Sequence, residues 1–146
     1  MKISSRVEPL VRNAIHAAVK RDFLKLEEAL KSFPDDRAVQ QGVELALAVT
    51  LYVMRDIHQG KPSDEETVAV AVEIARAEAW ARPTEEEVST FLLRLMNGQR
   101  FAESVPIENV IILAFVSVAN LLASCHRDDE NWWDYLDRAE AALEAA

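Results

Sequence analysis

Apolar residues recur along this chain at steps of three and four, the spacing of one face of an α-helix, and in two stretches they spread over every face. The stronger stretch runs from Ile107 to His126, where fourteen of twenty residues are apolar. Between Glu108 and His126 only Cys125 can carry a full charge. A helix without a charged face belongs inside a ring of other helices. A bilayer-spanning helix takes about 20 mainly apolar residues. Here the uncharged run from Val110 to Cys125 is sixteen residues long, and Asn109, Ser117, Asn120 and Ser124 recur along it as a narrow polar seam. The expected state is an interior helix with Phe115 and Val116 covered, and no membrane.

The second such stretch lies in a helix over about 36–59, apolar on most faces from Val43 to Met54 and interrupted by Gly42, which implies a neighbouring backbone close by. Gly60 and Pro62 mark its end, with the glycine expected in the left-handed cap. Before it, Val7, Val11, Ile15, Val19, Phe23, Leu26, Leu30 and Phe33 form one unbroken stripe. That stripe predicts a single outer helix from about residue 5 or 7 to 32, with strongly charged other faces, ended by Phe33-Pro34-Asp35-Asp36.

Two capping boxes follow, Ser63 to Glu66 and Thr84 to Glu87, each opening a helix. The first of these two helices is alanine-rich and thin, which suggests a place between neighbours; the second carries Val88, Phe91, Leu92, Leu95 and Met96 on one face and ends at Asn97-Gly98. The stretch 99–105 is the longest connection, and Pro106 fits the first turn of the central helix. A last helix repeats Trp132, Leu136, Ala139 and Leu143 at steps of four and three. Similar apolar segments at 43–50 and 110–117, 67 residues apart, would make two three-helix halves, although identity between them is poor.

The chain has 146 residues, half of them apolar, with three glycines and five prolines. That composition suits one domain over residues 1–146 and a nearly all-helical chain. The expected fold is all-α: a single compact orthogonal or up-down bundle of about six helices with two buried apolar helices, at about 36–59 and 106–126. The single cysteine, Cys125, cannot form an internal disulfide, and no apolar stretch follows the charges of the opening MKISSRVEPL. Both features fit a cytoplasmic protein.

A net charge of −9 suggests a basic partner, yet eleven of the twenty-five acidic residues sit in four clusters at predicted helix starts. Acidic side chains there are stabilised by the helix dipole at about 0.3 to 1 kcal/mol each, so much of the excess has a folding explanation. Residues 1–37 hold eight basic and six acidic side chains on an otherwise acidic chain. Arg12, His16 and Lys20 lie four apart there and make a candidate contact row for an acidic partner or the acidic body of a second copy. An acidic chain repels nucleic acid, so DNA and RNA are not expected partners.

No catalytic or cofactor motif is present. The glycines at 42, 60 and 98 are too dispersed for a phosphate loop, and none of His16, His58 and His126 follows a Glu by three residues, so the carboxylate-histidine element of di-iron bundles is missing. Neither a metal nor a cofactor is expected. Trp132-Trp133-Asp134-Tyr135 is the best surface candidate: successive helical positions cannot all face one core, so if Trp132 turns inward with Leu136, Trp133 or Tyr135 is at least half exposed. Arg100 and Phe101 in the long connection could extend that patch or plug the core. The favoured expectation is a non-enzymatic interaction or regulatory module, as a homodimer or as an inhibitor of a basic partner. The alternative, a ligand-sensing or enzymatic bundle, would place a pocket between the two apolar helices near Asn120, Tyr52 and His58.

Overall fold

The computed structural model describes residues 1–101 and 105–146, so part of the 99–105 connection lies outside the described residues. Among the described residues there are seven α-helices and no strand. In chain order they are α1 (Glu8–Val19), α2 (Phe23–Lys31), α3 (Asp36–His58), α4 (Asp64–Ala77), α5 (Glu85–Met96), α6 (Ile107–Cys125) and α7 (Trp132–Ala145), with a 3₁₀ turn at Ala79–Ala81.

Local chemistry accounts for most of these boundaries. Asp35 accepts from the Ala38 amide at 2.8 Å to open α3. Ser63 and Glu66 cap each other's backbone at 3.1 and 2.9 Å, and Thr84 and Glu87 do the same at 3.0 and 3.1 Å. At the end of α3 the left-handed residue is Gln59, at φ 55°, one place earlier than the glycine expected there; Gly60 follows at φ 140° and its amide donates to the Arg55 carbonyl.

Tertiary structure accounts for the rest. The stripe 7–33 does not form one helix. It breaks at Lys20-Arg21-Asp22, where Arg21 takes a left-handed conformation at φ 55° and Asp22 accepts from the Lys25 amide at 3.1 Å. A good N-cap residue offers the backbone an alternative to continuing the helix, and Arg21 is held in that corner by an ion pair to Glu78, 57 residues away. The count is therefore seven helices where the stripe implied six.

α6 packs against α1, α3, α5 and α7, and ten of its nineteen residues are buried, Phe115 and Val116 among them at 1% exposure. It is long and apolar enough to cross a membrane by length and composition; its middle is buried among its neighbours, while Ile107 at its start is exposed and Ile111 and Ile112 are half-buried. α3 supplies the other half of the core through Leu45, Ala46, Val49, Val53 and Met54. α1 closes over α6 with Val11, Ala14, Ile15 and Ala18, all fully buried. α4 is not enclosed: it packs chiefly against α5, and Ala69 and Ala77 face solvent, because alanine side chains leave little surface to bury on more than one side. Gly42 meets a ring and not a backbone. A methyl there would come 2.6 Å from Phe33 Cε2 and 3.3 Å from Val11 Cγ2.

Candidate functional site

The helical period decides what α7 shows to solvent. Tyr135, Leu136 and Ala139 are fully buried, so with about 100° between successive residues Trp133 is turned outward and Trp132 sits at the margin. Opposite them α1 presents Glu8, Arg12 and His16, one turn apart. His16 stacks on Trp132 with ring centres 6.0 Å apart and planes at 16°, and Trp133 stands edge-on to Trp132 at 5.8 Å and 87°. These side chains, with Pro9 and Asn13, line an open cleft of about 570 Å³.

Its charged wall is unusual. Arg12 donates through Nε to Glu8 at 2.8 Å and through Nη2 to Asp137 at 2.7 Å and Glu140 at 3.3 Å, so one guanidinium serves three carboxyl groups. Burial works against the Arg12 charge, but the bonds to Glu8 and Asp137 outweigh it and raise its pKa. Glu140 is less well served: its Oε2 is buried without a hydrogen-bond partner. Burial, and after it the charge of Glu8, push the Glu140 pKa up to about 8 against the pull of Arg12.

Two members of the expected contact row, Arg12 and His16, thus meet Trp133 across the cleft, whereas Lys20, at the C-terminal cap of α1, is exposed outside it. Tyr135 does not join the surface. Its hydroxyl donates to Asp56 Oδ2 at 2.6 Å, and the Arg138 guanidinium lies 4.2 Å over its ring while bonding Asp56 at 3.3 Å and Glu130 at 2.6 Å. Burial and then the bond to Asp56 push the Tyr135 pKa well above the usual phenol value. Phe101 lies in a separate recess between α5 and α6, stacked on Phe91 at 5.2 Å and 9°, and the Arg100 carbonyl accepts from Arg94 Nη1 at 2.7 Å. The pair extends no patch at Trp133.

A second depression, of about 490 Å³, runs between the C-terminal half of α6, the end of α3 and α4. Asn120 and His58 stand on its walls with Arg21, Glu66, Glu73, Ser124 and Cys125. His58 Nδ1 is 2.7 Å from the Met54 carbonyl, which fixes Nδ1 as the donor and leaves Nε2 free. Tyr52 is half-buried against the core and does not line this groove.

Asn120 has a structural task there. Its Nδ2 donates to Glu78 Oε2 at 2.9 Å, Trp80 Nε1 donates to Oε1 at 2.8 Å, and Arg21 Nη2 reaches Oε2 at 3.2 Å. Glu78, 3% exposed, is a buried carboxylate closed by donors from the α1–α2 corner, its own 3₁₀ turn and α6. Among the described residues no group of three or more His, Cys, Asp or Glu side chains is placed to hold a metal.

No family model, curated protein or solved structure matches this chain. The site therefore rests on its own geometry. The sequence had pointed to Trp133, Arg12 and His16 separately. Glu140, Trp132 as a stacking surface and the Glu78 clasp carried no local signal, because each depends on a partner distant in the chain, whereas the pairing of Glu8 with Arg12 four residues on was open to sequence reading.

Proposed function

We propose that this chain is a small helical interaction module whose contact face is the α1–α7 cleft, engaging another protein or a second copy of itself. The observation that carries this reading is Trp133: 46% exposed, in a recess with a second tryptophan, a histidine and a charged row. Exposure alone does not distinguish it, since Leu24 at 71% and Ile107 at 63% are more open to solvent. Tryptophans that combine a large apolar surface with polar surroundings are the side chains on which binding energy concentrates. Capture from native lysate with the wild-type chain and Trp133→Ala side by side, with light scattering of both, tests the reading. The variant is expected to lose a protein that the wild type retains, or to lower the solution mass; identical captures and identical masses overturn it.

A second reading keeps a small-molecule pocket in the α3–α4–α6 groove, favoured by the free Nε2 of His58 sharing that groove with Asn120. A fragment screen by nuclear magnetic resonance in which no compound shifts the signals of His58 and Asn120 removes it.

A further inference from the structure

Resting on the interaction reading above, we infer that the corner formed by Trp132 and Trp133 receives a cationic side chain, arginine or lysine, from a basic segment of a partner protein. Three observations carry this. The indoles are nearly perpendicular, and one side of Trp132 is already taken by His16, so the open aromatic surface of the cleft is that of Trp133. An indole face is the aromatic surface that attracts a cation most strongly, within about 6 Å of the ring centre.

The charge of the cleft points the same way. Arg12 is its one arginine or lysine among the described lining residues, and Glu8, Asp137 and Glu140 converge on that guanidinium. Even with a proton on Glu140, two carboxylates face one cation. The row Arg12, His16 and Lys20 is therefore a poor receptor for an acidic partner: Arg12 is committed within the chain, His16 is stacked, and Lys20 stands outside the cleft. The approach to α7 carries Asp128, Asp129 and Asp134 against one arginine, Arg127, all exposed, on a chain of net charge −9, a field that draws a basic segment in and turns an acidic one away.

The test uses the whole protein and short synthetic peptides, Gly-Ser chains bearing two central arginines, two lysines, two citrullines or two norleucines. Binding is followed by the indole N–H signals of the tryptophans. The arginine and lysine peptides are expected to bind at low salt, to shift the Trp133 signal, and to weaken as salt is raised. The citrulline peptide, neutral and of the same shape, is expected to bind at least fivefold more weakly. Trp133→Leu keeps an apolar side chain but has no aromatic face, so it is expected to weaken the arginine peptide about fivefold; Trp133→Phe falls between. Circular dichroism confirms that the variants are folded. Citrulline or norleucine peptides binding as well as arginine overturn the cation while leaving the contact face standing. Failure of both cationic peptides to bind at millimolar concentration, or undiminished binding to Trp133→Leu, overturns the inference as well, and the lysate comparison judges the contact face separately.

Discussion

Glu140→Gln makes the protein's stability less dependent on pH. Glu140 shares Arg12 with Glu8 and Asp137, its Oε2 has no partner, and its pKa in the fold is about 8 against about 4.5 in an unfolded chain. A group whose folded pKa is raised binds more protons in the folded state between those two values. Its stabilising share is thus complete below about pH 4.5 and is lost as pH rises toward 8. One proton taken up on folding gives at most about 1.4 kcal/mol per pH unit. The side chains of Arg12 and Asp137 are 30% and 62% exposed, so solvent screens the cluster. We expect a total loss of about 1 kcal/mol between pH 6 and 8. Glutamine keeps the shape of the protonated acid and cannot ionise. Urea unfolding at pH 6, 7, 8 and 9 and fixed ionic strength, followed by tryptophan fluorescence, is expected to give a midpoint that falls more steeply for the wild type than for Glu140→Gln, with the variant the more stable at pH 8 and above. Parallel slopes for the two proteins, or a variant less stable than wild type at pH 9, refute the assignment of the proton to Glu140.

Substitutions at four further positions test other contacts by chemical unfolding. Glu78→Gln turns an amide toward the donors of Arg21 and Asn120 and is expected to cost about 2 to 3 kcal/mol, less than a fully buried pair because Arg21 is 57% exposed. Arg21→Gly and Arg21→Ala both lose that ion pair, but only glycine adopts φ 55° without strain, so the glycine variant is expected to be about 1 kcal/mol the more stable of the two. Tyr135→Phe removes a 2.6 Å bond to Asp56, which keeps Arg138, for an expected loss of about 1 to 2 kcal/mol. Gly42→Ala gains about 1 kcal/mol of helix propensity but drives a methyl into the Phe33 ring, and overpacking costs about 1 to 3 kcal/mol; a net loss of about 1 kcal/mol is expected, and a stabilised variant refutes the crowding.

What could be read from the chain alone follows a physical line between local and distant causes. The capping boxes at Ser63 and Thr84 and the interior character of α3 and α6 were legible, because a cap uses residues three apart and an all-apolar helix carries its burial in its own composition. The corner at Arg21 was not, since the stripe from Val7 to Phe33 keeps the helical period through it and the deciding contact comes from Glu78. Periodicity alone narrowed the exposed aromatic to Trp133 or Tyr135 without choosing between them. Tyr135 turns inward with Leu136 and Ala139, and Asp56, 79 residues away, accepts from its hydroxyl there. The row Arg12 and His16 was visible as a basic row, but its electrostatic sign is set by Asp137 and Glu140 on the far helix.

The arrangement of α4 and α5 bears on how the molecule breathes. These helices pack mainly on each other, and α4 touches α6 only lightly, so residues 64–96 form a hairpin leaning on the body through one face of α5 and through the Glu78 clasp. Partial opening takes the path that exposes the least apolar surface. The amides of this hairpin will therefore exchange with deuterium sooner and together, as one cooperative unit, while those at the centres of α3 and α6 wait for global unfolding.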